Sequence, residues 1–248
     1  MRHDWITPAW PAPANVKAFI TTRSGGVSAA PRDSLNLGYK AGDDPASVTQ
    51  NRAIVEALLP QTPAWLAQVH GARVMNAEQV INAPQVPEAD ASVAHAGGTV
   101  CAIMIADCLP VLFANRAGTR VAAAHAGWRG LSGGVLANTV QTLRDAGDDA
   151  ADLLAYIGPG IGPTAFEVGN DVYAAFTASD AEAKAAFVAH APGKWLADLF
   201  MLARHALVRA GVTQVYCGGL CTYSDPQRFF SYRRDKVTGR MAAFIWRE

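Results

Sequence analysis

The chain has 248 residues, of which 50% are hydrophobic and 17% are charged, a balance typical of an ordinary globular protein. With 21 Lys and Arg against 21 Asp and Glu, the net charge of zero argues against nucleic acid or anionic membranes as general partners and favours a small ligand. The N-terminus lacks the apolar run of a signal peptide, and no segment approaches the roughly 20 apolar residues that span a bilayer, so we expect a cytoplasmic protein.

Two polar loops in the first third of the chain are candidates for ligand binding. Apolar residues alternate over residues 15–23, which predicts a strand, and Arg23 ends it at a Ser-Gly-Gly turn whose backbone a ligand can approach. The alternative for this arginine is a solvated strand end. In the loop 34–38, Asn36 carries an amide that can pair with a base or a ribose. An Asp-Pro pair then begins a helix that we expect over residues 45–59.

A hairpin is predicted in the middle of the chain. Two apolar runs, 109–114 and 120–124, are separated by the turn composition Asn-Arg-Ala-Gly. A turn centred between residues 116 and 117 places Cys108 directly opposite His125 across the hairpin. Opposed residues have Cβ atoms about 4.5–5.5 Å apart, which lets a thiolate and an imidazole share one metal ion.

His70 is a third candidate ligand, because it also follows an apolar segment and precedes a glycine. A lone Cys is usually a small buried hydrophobe, and a lone His is usually a hydrogen-bonded structural residue, so residue types and spacing leave the metal site open. The four cysteines are too few for a disulfide framework, and we expect free thiols unless they bind metal. Cys217 and Cys221 are expected to be structural.

The remaining apolar runs predict strands and helices without strict alternation, which points to an α+β fold. No repeat or linker divides the chain, so we expect a single domain over residues 1–248. The glycine-rich loop 158–163 lacks the Lys-Ser/Thr of a phosphate-binding loop, and we expect it to shape the pocket as a rigid turn. Further strands are expected at 72–75, 90–93, 100–106, 153–157, 212–217 and 241–246, and further helices at 131–146, 171–176, 181–189 and 196–210.

Several motifs carry a resemblance to a known family. They are QVHG, ADCLPVLF, AHAGWRGL, TTRSGGVS, SLNLG, GDDP, IGPGIGP with FEVG, and FFSYRRDKVTGRMA. From Phe19 to Trp246 the chain resembles the YfiH-like family, also called the laccase-domain or multicopper polyphenol oxidase-like family. The resemblance implies packed mixed β-sheets with helices on the outside.

The same resemblance implies a metal centre and an activity. His70, Cys108 and His125 match the family's metal residues, and such a set suits Zn²⁺ with a fourth position open for water or substrate. The implied activity is purine nucleoside phosphorylase, acting on adenosine, inosine, guanosine and methylthioadenosine, with adenosine deaminase activity at the same site. The implied partners are a purine nucleoside and phosphate, and we expect a monomer or a weak homo-oligomer.

Substrate-binding residues are assigned from the motifs and from side-chain chemistry. Arg23 and Arg129 lie in family motifs and carry guanidinium groups that match phosphate bidentately, and Asn36 is the third candidate. No motif identifies a general acid or base. Asp107 and Glu167 are candidates because they are close in sequence to these motifs.

Three other functions remain open at this point. Some members of the family are associated with the editing of peptidoglycan precursors, which would make the protein a hydrolase. Cys108 and His125 can also act as a nucleophile pair without metal. A laccase-like polyphenol oxidase is disfavoured, because its copper sites need on the order of ten imidazoles. This chain has 6 histidines.

Overall fold

Three sheets and their surrounding helices make up the computed structural model, which describes residues 3–178 and 180–248. The strands are β1 (Val16–Ile20), β2 (Val74–Asn76), β3 (Ala91–Ala94), β4 (Cys101–Ile105), β5 (Leu109–Asn115), β6 (Val121–Ala126), β7 (Leu153–Ile157), β8 (Glu167–Gly169), β9 (Phe187–Ala191), β10 (Lys194–Ala197), β11 (Gln214–Cys217) and β12 (Met241–Arg247). The α-helices are α1 (Pro45–Glu56), α2 (Ala77–Ile81), α3 (Trp128–Ser132), α4 (Val135–Asp145), α5 (Asn170–Thr177), α6 (Leu199–Arg209) and α7 (Tyr232–Asp235). Short 3₁₀ helices occupy Tyr39–Ala41, Ala150–Asp152 and Ala181–Ala186.

The largest sheet contains six strands in the order β11-β7-β5-β6-β3-β2. Its outermost pairs, β11 with β7 and β2 with β3, are parallel, and the pairs between them are antiparallel. A second, antiparallel sheet has the order β1-β12-β4, and a third has the order β8-β10-β9. The predicted α+β class with packed mixed sheets is confirmed.

Strand β5 lies inside the largest sheet and is buried on both faces, which explains its unbroken apolar sequence. Leu109, Val111 and Phe113 pack into the core formed with the helices α3, α4 and α6. Leu112 and Ala114 point the other way, into the core shared with the second sheet. The two cores therefore meet across this strand.

Strand β6 pairs with β5 and consists almost entirely of small residues. Its sequence is Val-Ala-Ala-Ala-His-Ala, and all six residues are buried. Ala122 and Ala124 face the helices, and Ala123 faces the second sheet. Because alanine side chains are short, the layers on both sides approach this strand closely.

A third core lies on the outer face of the second sheet. Here Val55 of α1 and Trp65 pack against Ala102 and Phe244. The helix begins at Pro45 as predicted, because the Asp44 carboxylate accepts the backbone N–H groups of the first turn. It ends at Glu56, three residues before the predicted end.

Other predicted elements differ from the observed ones at glycine-containing turns. The helix predicted at 131–146 is divided into α3 and α4 at Gly133-Gly134, and Gly134 has a φ of +91°. The helix predicted at 181–189 extends too far at its C-terminal end, and the helix predicted at 196–210 begins too early. Residues 187–197 form the antiparallel pair β9 and β10 around Pro192-Gly193, a turn sequence that the apolar pattern concealed.

The predicted register of the central hairpin is also wrong. His125 is paired with Pro110, and Leu109 is paired with Ala126, so Cys108 lies just before the paired residues. The cause is a wider turn than the sequence suggested. The side-chain Oδ1 of Asn115 accepts the backbone N–H groups of Thr119 and Arg120 at 2.8 and 3.2 Å, which closes a longer loop.

The helices of the described ranges 3–178 and 180–248 are short. None of them combines the length and apolar composition that a bilayer-spanning helix needs.

Candidate metal and substrate site

Cys108 follows the point where the chain passes from the second sheet, at the end of β4, to the largest sheet, at the start of β5. The preceding residue, Asp107, has a φ of +94°, in the left-handed region that few residues other than glycine adopt. Its carboxylate accepts hydrogen bonds from the Thr222 hydroxyl and the Arg233 backbone N–H, both at 2.6 Å. Its carbonyl accepts the N–H of Ile161 at 2.8 Å. These contacts hold the backbone that presents Cys108.

His70 is held by a buried carboxylate. Asp90, which has no exposed surface, accepts the backbone N–H groups of Val69, His70 and Gly71 at 3.2, 3.0 and 2.7 Å. Three successive N–H groups wrapped around one anion form a nest, and His70 adopts a φ of +61° within it. Burial opposes ionisation of Asp90, but these bonds and His125 outweigh it and keep the pKa of its carboxyl below the usual value.

The same carboxylate orients His125. The imidazole Nδ1 lies 2.8 Å from the Asp90 Oδ1, and the ring is only 4% exposed. When Nδ1–H is donated to the carboxylate, Nε2 remains available as a ligand, an arrangement common around metal-bound histidines.

His70, Cys108 and His125 come together as a cluster. One ligand atom from each residue lies within 4.8 Å of the others, and the two imidazole centroids are 4.9 Å apart. The ligands of one tetrahedral zinc ion are about 3.5 Å apart, so small side-chain adjustments would seat an ion. His70 is exposed and Cys108 half-buried, so the cluster is open on one side.

Gly127 leaves the space that this cluster occupies. A Cβ atom at this position would lie 2.8 Å from the Cys108 Sγ and 3.0 Å from the His70 Cδ2. Gly127 has a φ of −70°, which any residue can adopt. The glycine is therefore required for room at the cluster and not for its backbone conformation.

The thiol and the imidazole of the cluster stabilise each other's charged forms. Burial opposes ionisation of Cys108, but the charge of His125 and hydrogen bonds from both histidines outweigh it and lower the pKa of the thiol. Burial likewise opposes protonation of His125, but Cys108 and Asp90 outweigh it and raise the pKa of the imidazole. A stabilised thiolate is a good ligand for a soft or borderline metal and also a good nucleophile.

The cluster opens into a cavity of about 840 Å³, a size typical of small-molecule sites. Much of the cavity wall is apolar, and the large side chains in it include Trp65, Met104, Ile161 and Phe166. It also contains five cationic side chains, which are Lys40, Arg52, Arg129, Arg233 and Arg240.

Of the three predicted substrate residues, Arg129 lines this cavity, where its guanidinium lies over the Trp128 ring at 4.3 Å. Arg23 is placed elsewhere. Its Nη1 and Nε donate to the carbonyls of Pro226 and Asp33 at 2.9 and 2.8 Å, and its guanidinium covers the Phe230 ring. It joins two loops and does not line the cavity.

Asn36 is fully buried and also lies outside the cavity lining. Its Oδ1 accepts the backbone N–H groups of Gly38 and Arg240 at 3.0 and 2.8 Å. Its Nδ2 donates to the Asp43 carboxylate at 2.8 Å. The amide is engaged on both sides and joins two loops behind the cavity wall.

The two candidate acid or base residues differ in position. Asp107 lines the cavity, but both carboxylate oxygens already accept hydrogen bonds. Glu167 does not line the cavity, and its carboxylate lies 3.5 Å from the His190 ring.

Sequence reasoning missed Asp90 and four of the cavity cations. The signal for Asp90 was its place as the first residue of the predicted strand 90–93, but its partners are mostly backbone N–H groups that no motif records. Arg233 and Arg240 lay within a motif that carried the resemblance, Lys40 lay between two others, and Arg52 lay outside all of them. Nothing in the sequence pattern indicated that these side chains share one cavity.

Comparison with known proteins identifies close relatives. The chain matches the family model described as multi-copper polyphenol oxidoreductase laccase over residues 17–248. It is 54% identical over 244 residues to purine nucleoside phosphorylase YfiH of Escherichia coli K12, covering 97% of this chain and 98% of the relative. A purine nucleoside phosphorylase of Pseudomonas aeruginosa is 55% identical over 243 residues, with 98% of each chain covered.

Solved structures agree with these matches. A Neisseria meningitidis protein of known structure superposes with a TM-score of 0.94 at 52% identity, covering 99% of both chains. The crystal structure of YlmD from Geobacillus stearothermophilus gives a TM-score of 0.90 at 33% identity, covering 100% of this chain and 97% of the other.

Replacing Asp90 with Asn tests the role of the shared carboxylate. We expect the affinity for Zn²⁺ to fall roughly ten- to a hundredfold, because outer-shell partners of metal-bound histidines typically contribute that much. The free energy of unfolding should fall by about 1.5–3 kcal/mol, the value of a hydrogen bond to a charged group. Chelator competition and urea denaturation measure the two effects. Asp145→Asn, an exposed carboxylate at the end of α4, is the control, and unaltered zinc affinity in Asp90→Asn contradicts the assignment.

Gly127→Ala tests the space at the cluster. The added methyl group should displace Cys108 or His70 and reduce bound metal well below one ion per chain, while circular dichroism stays native. Gly97→Ala is the matched control, because a Cβ there meets its nearest neighbour, the Arg247 Nη1, at an ordinary 3.6 Å. Elemental analysis measures the metal. Equal metal content in the two variants would show that the cluster does not need this space.

Proposed function

The chain belongs to the multi-copper polyphenol oxidoreductase laccase family, as its motifs suggested, and from this premise we propose that it is a zinc-dependent purine nucleoside phosphorylase. The observation that carries the proposal is the cavity in which a His-Cys-His cluster faces apolar walls and several cationic side chains. A nucleoside needs an apolar surface for its base, and phosphate needs cations. Relatives at 54–55% identity bear the name of this activity.

The donor set favours zinc over copper. Two imidazoles and one thiolate suit Zn²⁺, and three protein ligands leave one coordination position for water or substrate. A polyphenol oxidase of the multicopper type needs many more imidazoles than the 6 histidines of this chain, and only two of them belong to the cluster. The family description therefore does not define the chemistry that we propose.

The proposed reaction transfers a ribosyl group from a purine to phosphate. A phosphate oxygen forms a bond to the ribose C1′ while the bond from C1′ to the purine N9 breaks. The purine leaves with the electron pair of that bond and takes up a proton, so the products are the free base and ribose 1-phosphate, or 5-methylthioribose 1-phosphate when the substrate is methylthioadenosine. Adenosine, inosine, guanosine and methylthioadenosine are the proposed substrates, and Arg129 is the proposed contact to the substrate at the cavity wall.

The protein's own residues position and bind the reactants in this scheme. The cluster residues His70, Cys108 and His125 would hold the zinc ion, which would supply a Lewis acid beside the substrate. Asp90 holds the ring of His125 and the backbone of His70, and the apolar side chains of Met104 and Ile161 would face the base. We also propose adenosine deamination at this site, with water as the second reactant.

The zinc assignment is tested by metal analysis. We expect the purified protein to contain one zinc ion per chain and Cys108→Ala to lose it with the fold retained by circular dichroism. Cys217→Ala removes an exposed thiol away from the cluster and should keep its zinc. A Cys108→Ala variant with full zinc content excludes the proposed ligand set. Undiminished activity of chelator-treated, zinc-free protein would instead support the metal-free Cys-His nucleophile.

The reaction class is tested by phosphate dependence. We expect inosine to give hypoxanthine and ribose 1-phosphate only when phosphate is present, because each reaction class consumes a different second reactant. Adenosine should give inosine in phosphate-free buffer, since deamination needs water alone. Products are identified by mass spectrometry.

Two outcomes of this assay contradict the proposal. Equal release of hypoxanthine with and without phosphate means that the protein is a hydrolase. No turnover of any purine nucleoside by zinc-loaded protein means that the substrate belongs to another class, such as the peptidoglycan precursors associated with some members of the family.

A further inference from the structure

Two of the five cavity cations, Arg52 and Arg240, are bound to the same loop of the cavity wall. Arg52 projects from α1, and Arg240 precedes β12, so they come from opposite ends of the chain. Both are half-buried, both line the cavity, and both are fastened to the loop that contains residues 36–38.

Arg240 is anchored by one edge of its guanidinium. Its Nη1 donates to the carbonyls of Thr238 and Gly239 at 3.1 and 2.9 Å, while its backbone N–H donates to the Asn36 Oδ1. Gly38 makes room for its stem, since a Cβ there would lie 2.7 Å from the Arg240 Cγ. Within residues 3–178 and 180–248, Nε and Nη2 of this arginine have no hydrogen-bond acceptor, so these donors remain for a ligand.

Arg52 is clamped between two aromatic rings. Its guanidinium lies 4.5 Å from the Tyr39 centroid and 3.9 Å from the Trp65 centroid. Its Nε donates to the Leu37 carbonyl at 2.9 Å, and Nη2 approaches the Met104 sulfur at 3.7 Å. In the described part of the chain, Nη1 has no acceptor. The side chain is thus held in place with one set of donors unused.

Neither guanidinium has a direct ion-pair partner among the residues that the structure describes. Across the described ranges, no Asp or Glu oxygen lies within 4.0 Å of Arg52 or Arg240, although Arg23, Arg120 and Arg209 all have such partners. Burial lowers the pKa of both side chains, which reflects the cost of removing a cation from water. More distant acidic groups of the protein offset this cost only in part, so each guanidinium can still take an anion from solution as a direct partner.

The other cavity cations suit this role less well. Arg129 is exposed and stacks on Trp128, and Lys40 is exposed. Arg233 donates its Nη1 to the Glu167 carbonyl at 2.6 Å and lies over the Phe166 ring. Arg233 is therefore anchored as well, but to a different loop, whereas two guanidinium groups held by the same loop suit the several oxygens of one phosphate group.

We infer that Arg52 and Arg240 form the subsite for the inorganic phosphate of the reaction, an inference that rests on the proposed function. Asn36 acts as a positioning residue, because it holds the backbone of Arg240 and that of Gly38 together. Asn36, which the sequence suggested as a substrate contact, thus positions Arg240 and does not itself contact the substrate.

Calorimetric titration of zinc-loaded protein with inorganic phosphate tests the subsite without relying on turnover. Arg240→Gln and Arg52→Gln should each weaken phosphate binding roughly ten- to a hundredfold, the loss expected for a charge-assisted contact. Zinc content and inosine binding in phosphate-free buffer should remain at wild-type levels. Arg144→Gln, which alters an exposed arginine of α4 outside the cavity, is the control and should bind phosphate normally.

Arg52→Lys and Arg240→Lys serve if a glutamine variant fails to fold, because each keeps the charge and loses the planar guanidinium. They should show an intermediate loss of phosphate affinity. The inference is overturned if folded variants at position 52 and at position 240 both bind phosphate as tightly as the wild-type protein. It is also overturned if the wild-type protein binds no phosphate. Phosphate-dependent inosine cleavage together with unaltered variants would leave the proposed function standing and only the subsite wrong. Weakened phosphate binding in the variants, together with no nucleoside turnover by the wild-type protein, would leave the anion site standing and the proposed function wrong.

Discussion

The Asp90 carboxylate, buried directly before β3, accepts hydrogen bonds from the 69–71 loop and from the ring of His125. A buried carboxylate is stable only when its oxygens accept hydrogen bonds. Loss of any one donor is therefore costly, and the donors stay in place together. The loop that carries His70 and the strand that carries His125 are therefore joined through a single anion. The fold therefore sets the backbone position of His70 and the ring position of His125 relative to Cys108.

Cys108 reaches the same point by a different route, because it lies where the chain changes from one sheet to another. The contacts of Asp107 with Thr222 and Arg233 attach this crossing to the C-terminal part of the chain. The cluster thus draws on three distant segments that meet only in the folded protein. Metal binding at the proposed site would consequently be coupled to folding, since the unfolded chain presents no such arrangement of ligands.

Sequence reasoning succeeded where the signal is local. The buried strands β5, β7 and β12 appear as unbroken apolar runs, and the cluster residues lie in short motifs at the ends of such runs. It failed where the determining contact is made by the backbone or by a distant residue. Asp90 binds mostly N–H groups, Asn115 widens a turn through its side chain, and Arg52 and Arg240 meet only after folding. None of these contacts leaves a periodic pattern in the sequence.

The alanine-rich strand β6 has a consequence for how this protein can vary. His125 extends from a strand whose neighbours Ala123 and Ala124 touch opposite layers, so the spacing of the layers sets how deep the imidazole lies. Added methylene groups in a packed interior typically cost about 1–3 kcal/mol and shift the backbone. Substitutions at positions that never meet a substrate would therefore displace the imidazole of His125 as well. The small volume of the alanine side chains thus helps to set the shape of the cluster without any of them contacting it.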